Sequence, residues 1–150
     1  MGFRRSLGKR NGEPMRIVKL NLRDEIFEHV DETGKHRFFN ATKLYAYAIK
    51  NADRICAPLE PIARHVEVKG GIEEARIARL CEPYISRPAL GVHWPDGSTL
   101  IVDGNHRIVR WWRDGAAEFN LYRVRSLAEC EPFLVEGLPD GFIVGEEKRA

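Results

Sequence analysis

The chain has 150 residues, enough for one domain with a short extension, and its hydrophobic fraction of 43% is typical of a folded protein rather than a disordered one. The net charge of +2 is too small to indicate a nucleic-acid partner by itself. No apolar run approaches the roughly 20 residues that a membrane-spanning helix needs, so we expect no membrane association.

The first third of the sequence predicts a basic arm, a strand, a turn and a helix. Residues 1–10 carry four basic side chains and no acidic one, which predicts a flexible arm and offers one route to a DNA partner. The near-alternation of residues 15–22 predicts a strand, and residues 31–35 predict a turn. Asn40 is placed to cap a helix over residues 41–51.

The remainder predicts a regular alternation of strands and helices. Val66 and Val68 alternate with polar residues, as in a strand, and the Asp96-Gly97 pair predicts a hairpin turn. Gly115 is expected to end the helix before it. The predicted strands are 63–69, 88–94, 99–102 and 119–124, and the predicted helices are 72–81, 106–114 and 126–135. This β-α-β-β-α-β-α order predicts an α+β fold with a mixed sheet.

This pattern predicts that the chain has two parts. Residues 1–59 form an N-terminal extension with the basic arm, a strand and a helix, and residues 60–150 form the main domain with a short C-terminal tail. The three cysteines are too widely spaced for a metal motif and are odd in number, so we expect buried free thiols and a cytoplasmic setting.

The run Asp103-Gly104-Asn105-His106-Arg107 lies where a predicted strand turns into a helix. The first amides of a helix lack internal partners and carry the positive end of its dipole, so this position suits a phosphate. Gly104 allows close approach of the backbone, and His106 and Arg107 add donors. Asp103 can hold a ribose hydroxyl, orient His106 or bind a Mg²⁺ that accompanies the ligand.

A purely structural interpretation of the same run stays open. Asp103 or Asn105 can simply cap the helix, and Gly104 can simply make the turn. The basic residues that follow can be a solvated face that complements the C-terminal end of the helix dipole. Short motifs of this kind often occur by chance.

Three segments resemble the ParB/sulfiredoxin-like superfamily. Residues 101–107, followed by an apolar helix and Gly115, are similar to its signature turn. Residues 72–80 resemble the helix before the family's hairpin, and residues 87–92 resemble its strand of the form proline-hydrophobic-x-valine. The resemblance covers roughly residues 60–136 and implies a mixed sheet that curls into a partly open barrel.

The resemblance implies a nucleotide ligand, because members include CTP-dependent DNA-partition proteins, ATP-dependent sulfiredoxins and ADP-dependent serine kinases. It makes His106 and Arg107 the phosphate ligands. The expected ligand-binding residues are Asp103, Gly104, Asn105, His106, Arg107 and Arg87. Sulfiredoxins carry a reactive cysteine where this chain has Asn105, so that activity is disfavoured. Too few residues follow the last predicted helix for the DNA-binding module of the partition proteins.

A kinase-like member needs a general base, and Glu67 and Glu60 are the candidate catalytic carboxylates. Surface charge is the competing interpretation of both. We therefore expect a nucleotide-binding protein with phosphotransfer or nucleotide hydrolysis, and with Mg²⁺ bound alongside the nucleotide. The first alternative is a non-catalytic module that binds DNA or a protein. The second is a nuclease, for which the sequence offers His93 but no complete metal motif.

Overall fold

The computed structural model describes residues 9–10, 13–14 and 23–135. The predicted strand at 15–22, most of the basic arm and the charged tail therefore lie outside the described residues. The chain divides into two compact units, one of residues 1–46 with 127–150 and one of residues 47–126. The proposed division into an extension and a main domain at residue 59 stays a prediction.

The described elements combine strands with helices, so the predicted α+β class is confirmed. In chain order they are β1 (Lys9–Arg10), β2 (Glu13–Pro14), β3 (Ile26–Val30), β4 (His36–Asn40), α1 (Ala41–Asn51), β5 (Asp53–Pro58), α2 (Glu60–Lys69), α3 (Glu74–Ala78), a 3-10 turn (Tyr84–Ser86), β6 (Ala89–His93), β7 (Thr99–Asp103), α4 (Asn105–Arg113), β8 (Glu118–Val124), a 3-10 helix (Ala128–Phe133) and β9 (Leu134–Val135).

In the first unit, β3, β4 and β9 form an antiparallel sheet in the order β3-β4-β9. The turn predicted at residues 31–35 connects β3 to β4, and Asp31 Oδ1 accepts the backbone N–H groups of Thr33 and Lys35. The helix predicted after Asn40 is also present. Asn40 Oδ1 accepts the N–H of Lys43 at 3.0 Å, which satisfies one of the donors that a helix start leaves open.

In the second unit, a four-stranded sheet has the order β5-β8-β6-β7. Strands β6 and β8 run parallel, whereas β5–β8 and β6–β7 are antiparallel pairs, so the sheet is mixed as expected. The predicted hairpin joins β6 to β7, with Gly97 at a φ of +92°. Within the described residues the strands form open sheets of two, three and four strands and no closed barrel.

The strand predicted at residues 63–69 is wrong, because this segment is the second half of helix α2. Leu59, Ala63 and Val66 are buried at helical spacing in the core of the second unit, and Pro61 lies in the first turn, where a helix tolerates it. Val68, which suggested the alternation, is 86% exposed. The strand that precedes this helix is β5, about ten residues earlier.

Two predicted helices are shorter than expected. The segment at 72–81 is helical only in α3, and beyond it Arg110 Nη1 hydrogen bonds to the carbonyl of Ile77 at 3.1 Å and lies 3.5 Å from that of Leu80. The segment at 126–135 is a 3-10 helix followed by β9, and Pro132 within it prevents regular α-helical bonding. In the described part of the chain, no helix has the length and apolar character to cross a membrane.

Candidate functional site

The signature run forms the predicted strand-to-helix turn. β7 ends at Asp103, Gly104 adopts the left-handed conformation with a φ of +100°, and α4 begins at Asn105. No side chain caps the start of α4. The interpretation of Asp103 or Asn105 as a helix cap is therefore wrong. A Cβ on Gly104 would lie 2.9 Å from Arg107 Nη2 and 3.1 Å from Ala89 Cβ. The glycine is therefore required both by its backbone conformation and by close packing.

Arg107 is buried beneath this turn and binds backbone. Only 7% of the surface of Arg107 is exposed. The Nε–H group donates to the carbonyl of Arg87 at 3.2 Å, and Nη2 donates to the carbonyl of Pro88 at 3.1 Å. Nη2 also lies 4.0 Å from Asp103 Oδ2. The guanidinium thus fastens the start of α4 to the chain that enters β6, and it places a buried positive charge directly behind the turn.

His106 is also buried, at 5% exposure, and its ring has a defined chemical state in this arrangement. Nε2 accepts the backbone N–H of Glu73 at 3.1 Å. Because the amide is the donor, Nε2 carries no proton while this bond exists. That nitrogen therefore cannot also donate a hydrogen bond to a phosphate oxygen, which differs from the role that the sequence suggested for His106.

His106 belongs to a stripe of three side chains on one face of α4. Arg110 and Arg113 follow it at the spacings i+4 and i+7, which bring residues to the same side of a helix. Arg110 binds the carbonyl at the end of α3, and Arg113 binds the carboxylates of Glu74 and Glu67. The stripe holds α2 and α3 against α4 within the second unit.

A second stripe of α4 fixes the segment before β6. Trp111 lies four residues after Arg107, and its indole Nε1 donates to the carbonyl of Ile85 at 2.8 Å. The sequence alone did not predict this hydrogen bond. The spacing of polar groups along residues 106–113 was the sequence feature that could have indicated these contacts. It indicated a helix with one solvated face, whereas both of its polar stripes bind other parts of the second unit.

The three other predicted ligand-binding side chains lie around the same turn. Asp103 is partly accessible, with a side chain that is 23% exposed. Asn105, the first residue of α4, is half-buried. Arg87 is half-buried and is linked to the turn through its own carbonyl, which Arg107 binds. The predicted ligand-binding residues are therefore brought together in one region of the second unit.

The two candidate catalytic carboxylates lie elsewhere on the helices. Glu67 Oε2 lies 3.2 Å from Arg113 Nη2, at the last residue of α4, whereas the turn is at the first. Glu60 pairs with Arg64 one helical turn along α2, at 2.7 Å, and lines a groove with Trp112 and Gly115 beyond the other end of α4. A nine-residue helix is about 13 Å long. These contacts place both carboxylates at the C-terminal end of α4.

Metal-ligating and thiol groups are dispersed. In the described ranges no cluster of three or more histidine, cysteine, aspartate or glutamate residues can hold a metal ion. Cys130 is buried, and burial raises the pKa of its thiol to about 12. Cys56 and Cys81 are exposed, so the expectation that all three thiols are buried is wrong.

Comparisons of this chain with protein-family models, with curated proteins and with solved structures found no match.

Proposed function

We propose that the second unit binds a phosphate-bearing ligand, a nucleotide, at the N-terminal turn of α4, as a domain of the ParB/sulfiredoxin-like type. The observation that carries the proposal is the uncapped start of α4 directly after a left-handed glycine. Such a turn presents the first amides of the helix and the positive end of its dipole to an anion.

The charges around the turn support an anionic ligand. The guanidinium of Arg107 lies behind the turn, and its Nη2 atom is 4.0 Å from Asp103 Oδ2. Charges within a partly buried site are screened much less than charges on the surface. In this proposal the amides of the turn contact the phosphate, Arg107 supplies positive potential, and Arg87 approaches from the segment that Arg107 anchors.

His106 has a positioning role in the proposed site. Its Nε2 atom is occupied by the Glu73 amide, so the ring fixes the first turn of α4 relative to α3. Asp103 is the carboxylate at this turn that would contact a Mg²⁺ bound to the phosphates, since Mg²⁺ usually takes one or two protein carboxylates together with phosphate oxygens and water.

Binding without catalysis is the form of the proposal that the geometry favours. Glu60 and Glu67 are paired with arginines at the other end of α4, and a general base has to reach the reacting hydroxyl within about 3 Å or through one water. The proposal therefore assigns no general base and places this chain with regulatory or ligand-sensing modules rather than with phosphotransferases.

The test is titration calorimetry with CTP, ATP, ADP and pyrophosphate, each with and without Mg²⁺. The decisive variant is Asn105→Asp, which adds a carboxylate at the first position of α4. A negative charge there stabilises a helix but repels a phosphate. We expect an unchanged or higher melting temperature together with affinity reduced about tenfold or more. If the turn has only a structural role, the melting temperature stays unchanged or rises but the affinity does not fall.

The matched control is Asn105→Ala, which removes the side chain but keeps every backbone amide of the turn. Its affinity for the best nucleotide should stay close to that of the wild type. If none of the four ligands binds the wild-type chain at millimolar concentration, or if Asn105→Asp binds as well as Asn105→Ala, the proposed function is wrong.

A further inference from the structure

A shallow groove of about 350 Å³ lies at the C-terminal end of α4, at the opposite end of the helix from the signature turn. Its lining residues are Pro58, Glu60, Pro61, Trp112, Gly115, Ala116 and Ala117. The lining combines the two prolines next to the start of α2 with the indole of Trp112 and three small residues after α4.

The groove has the electrostatics of a cation site. Glu60 supplies the charged group of its lining, and the C-terminal end of α4 adds the negative end of a helix dipole. The face of a tryptophan ring attracts cations as well. All three contributions favour a positively charged group, and the guanidinium of Arg64 already supplies one beside Glu60 and Trp112, so a cationic ligand has to take its place.

The protein already holds a cation in this arrangement. The guanidinium of Arg64 lies 5.3 Å from the centroid of the Trp112 ring. Its Nε and Nη2 atoms lie 2.9 Å and 2.7 Å from a single oxygen of Glu60, Oε2. The side chain of Arg64 is 64% exposed and can therefore rotate into solvent. Arg64 thus shows which chemical group the pair of Trp112 and Glu60 accommodates.

The contact of Arg64 with Glu60 is not the strongest that a guanidinium can make. Both residues lie on α2, four positions apart, and both nitrogens of Arg64 bind the same carboxylate oxygen. Among the described residues, Glu60 Oε1 accepts no hydrogen bond. A guanidinium that approaches end-on can bind both oxygens of a carboxylate in parallel, which is the stronger geometry.

We propose that this groove binds an arginine side chain of a proline-containing peptide segment, and that the incoming arginine takes the place of Arg64 between Trp112 and Glu60. Grooves walled by proline and aromatic side chains suit extended, proline-containing chains, because such chains need little further ordering to bind. The open shape of the groove suits a segment that passes across it. Lysine fits less well, since its ammonium lacks the planar fork and stacks poorly on an indole.

The experiment is an NMR titration of the full chain with a blocked peptide that has one arginine between pairs of prolines, and with the matched citrulline peptide. The backbone amides of Gly115, Ala116 and Ala117 and the indole N–H of Trp112 should shift on addition of the arginine peptide. The citrulline peptide keeps the shape but loses the charge, so it should bind about tenfold more weakly.

Two surface variants test the exchange without threatening the fold. Arg64→Met removes the competing guanidinium, and we expect about fivefold tighter binding. Glu60→Gln should weaken binding about tenfold, because the charge-assisted bonds are lost. Arg79→Met, an exposed arginine at the end of α3, is the matched control and should bind like the wild type.

Equal binding of the arginine and citrulline peptides overturns the proposal. It is also overturned if Arg64→Met binds no more tightly than Arg79→Met, or if the peptide shifts resonances around Asp103–Arg107 instead of those at the groove. Because the groove lies at the other end of α4 from the proposed anion site, these outcomes are independent of the nucleotide titrations.

Discussion

The imidazole of His106 and the backbone amide of Glu73 are joined by a hydrogen bond of 3.1 Å across 33 positions of sequence. The bond links the first turn of α4 to the residue that precedes α3. Gly70 and Gly71, both with positive φ, connect this residue to α2. A histidine that the sequence presents as a ligand contact is instead the point at which the second unit secures the start of α3.

Replacement of His106 should lower the stability of the second unit. His106→Ala removes the acceptor of a partly buried amide, which typically costs about 1–3 kcal/mol. His106→Gln restores an acceptor at a similar distance and should recover part of that loss. Urea denaturation measures both effects, with His65→Ala on the exposed face of α2 as the control. Stability of His106→Ala equal to that of the control would contradict the role assigned to this bond.

Arg107→Lys should destabilise the protein although it preserves charge. The planar guanidinium binds two consecutive carbonyls, those of Arg87 and Pro88, and a lysine ammonium cannot reproduce this fork. We expect a loss of about 1–2 kcal/mol in the free energy of unfolding. The matched variant Arg79→Lys, at an exposed position, should be nearly neutral. A loss of the same size in both variants would show that the fork is unimportant.

Gly104→Ala should destabilise more than Gly97→Ala, although both glycines have positive φ. The left-handed conformation costs an alanine about 1–2 kcal/mol at either position. Only at Gly104 does the new Cβ also meet other atoms within 3.2 Å, those of Arg107 and Ala89, whereas Gly97 has nothing within 4 Å. The difference between the two unfolding free energies therefore isolates the packing of the turn. Equal losses would mean that the turn can relax without cost.

The ion pair of Arg113 with Glu74 should give a pH-dependent contribution to stability. The hydrogen bond from Arg113 lowers the pKa of Glu74 from its ordinary value. A carboxylate whose pKa is lower in the folded state stabilises the fold above its unfolded pKa, and this stabilisation is lost as pH falls through the folded pKa. The stability difference between wild type and Arg113→Met should therefore be largest near pH 7 and shrink below about pH 5.

Glu74→Gln provides the control for this pH dependence. In the Glu74→Gln background, the stability lost through Arg113→Met should vary much less between pH 7 and pH 3. Glu67 is then the remaining acidic partner of Arg113. Added salt should reduce the difference at neutral pH, because the pair is exposed to solvent. Thermal denaturation over a pH series measures these effects. A difference between wild type and Arg113→Met that does not vary with pH would contradict the contribution of Glu74.

Local chemistry alone determined several turns and a helix cap in the two units. The Asp96-Gly97 turn, the cap at Asn40 and the left-handed Gly104 before α4 each depend on backbone preferences of one or two residues and on neighbours within about four positions. The residues at each of these positions are therefore enough to predict the feature. For this reason the sequence predicted the turn that carries the proposed site, and also the helix and the hairpin on either side of it.

Tertiary structure decided what the polar side chains do. The alternation of Val66 and Val68 is compatible with a strand, but burial of Leu59, Ala63 and Val66 against the sheet makes the segment a helix. That change takes Glu67 to Arg113 at the far end of α4. The partners of His106 and Arg107 lie 33, 20 and 19 positions away. Contacts at such separations depend on how the chain folds back on itself, which local sequence patterns do not specify.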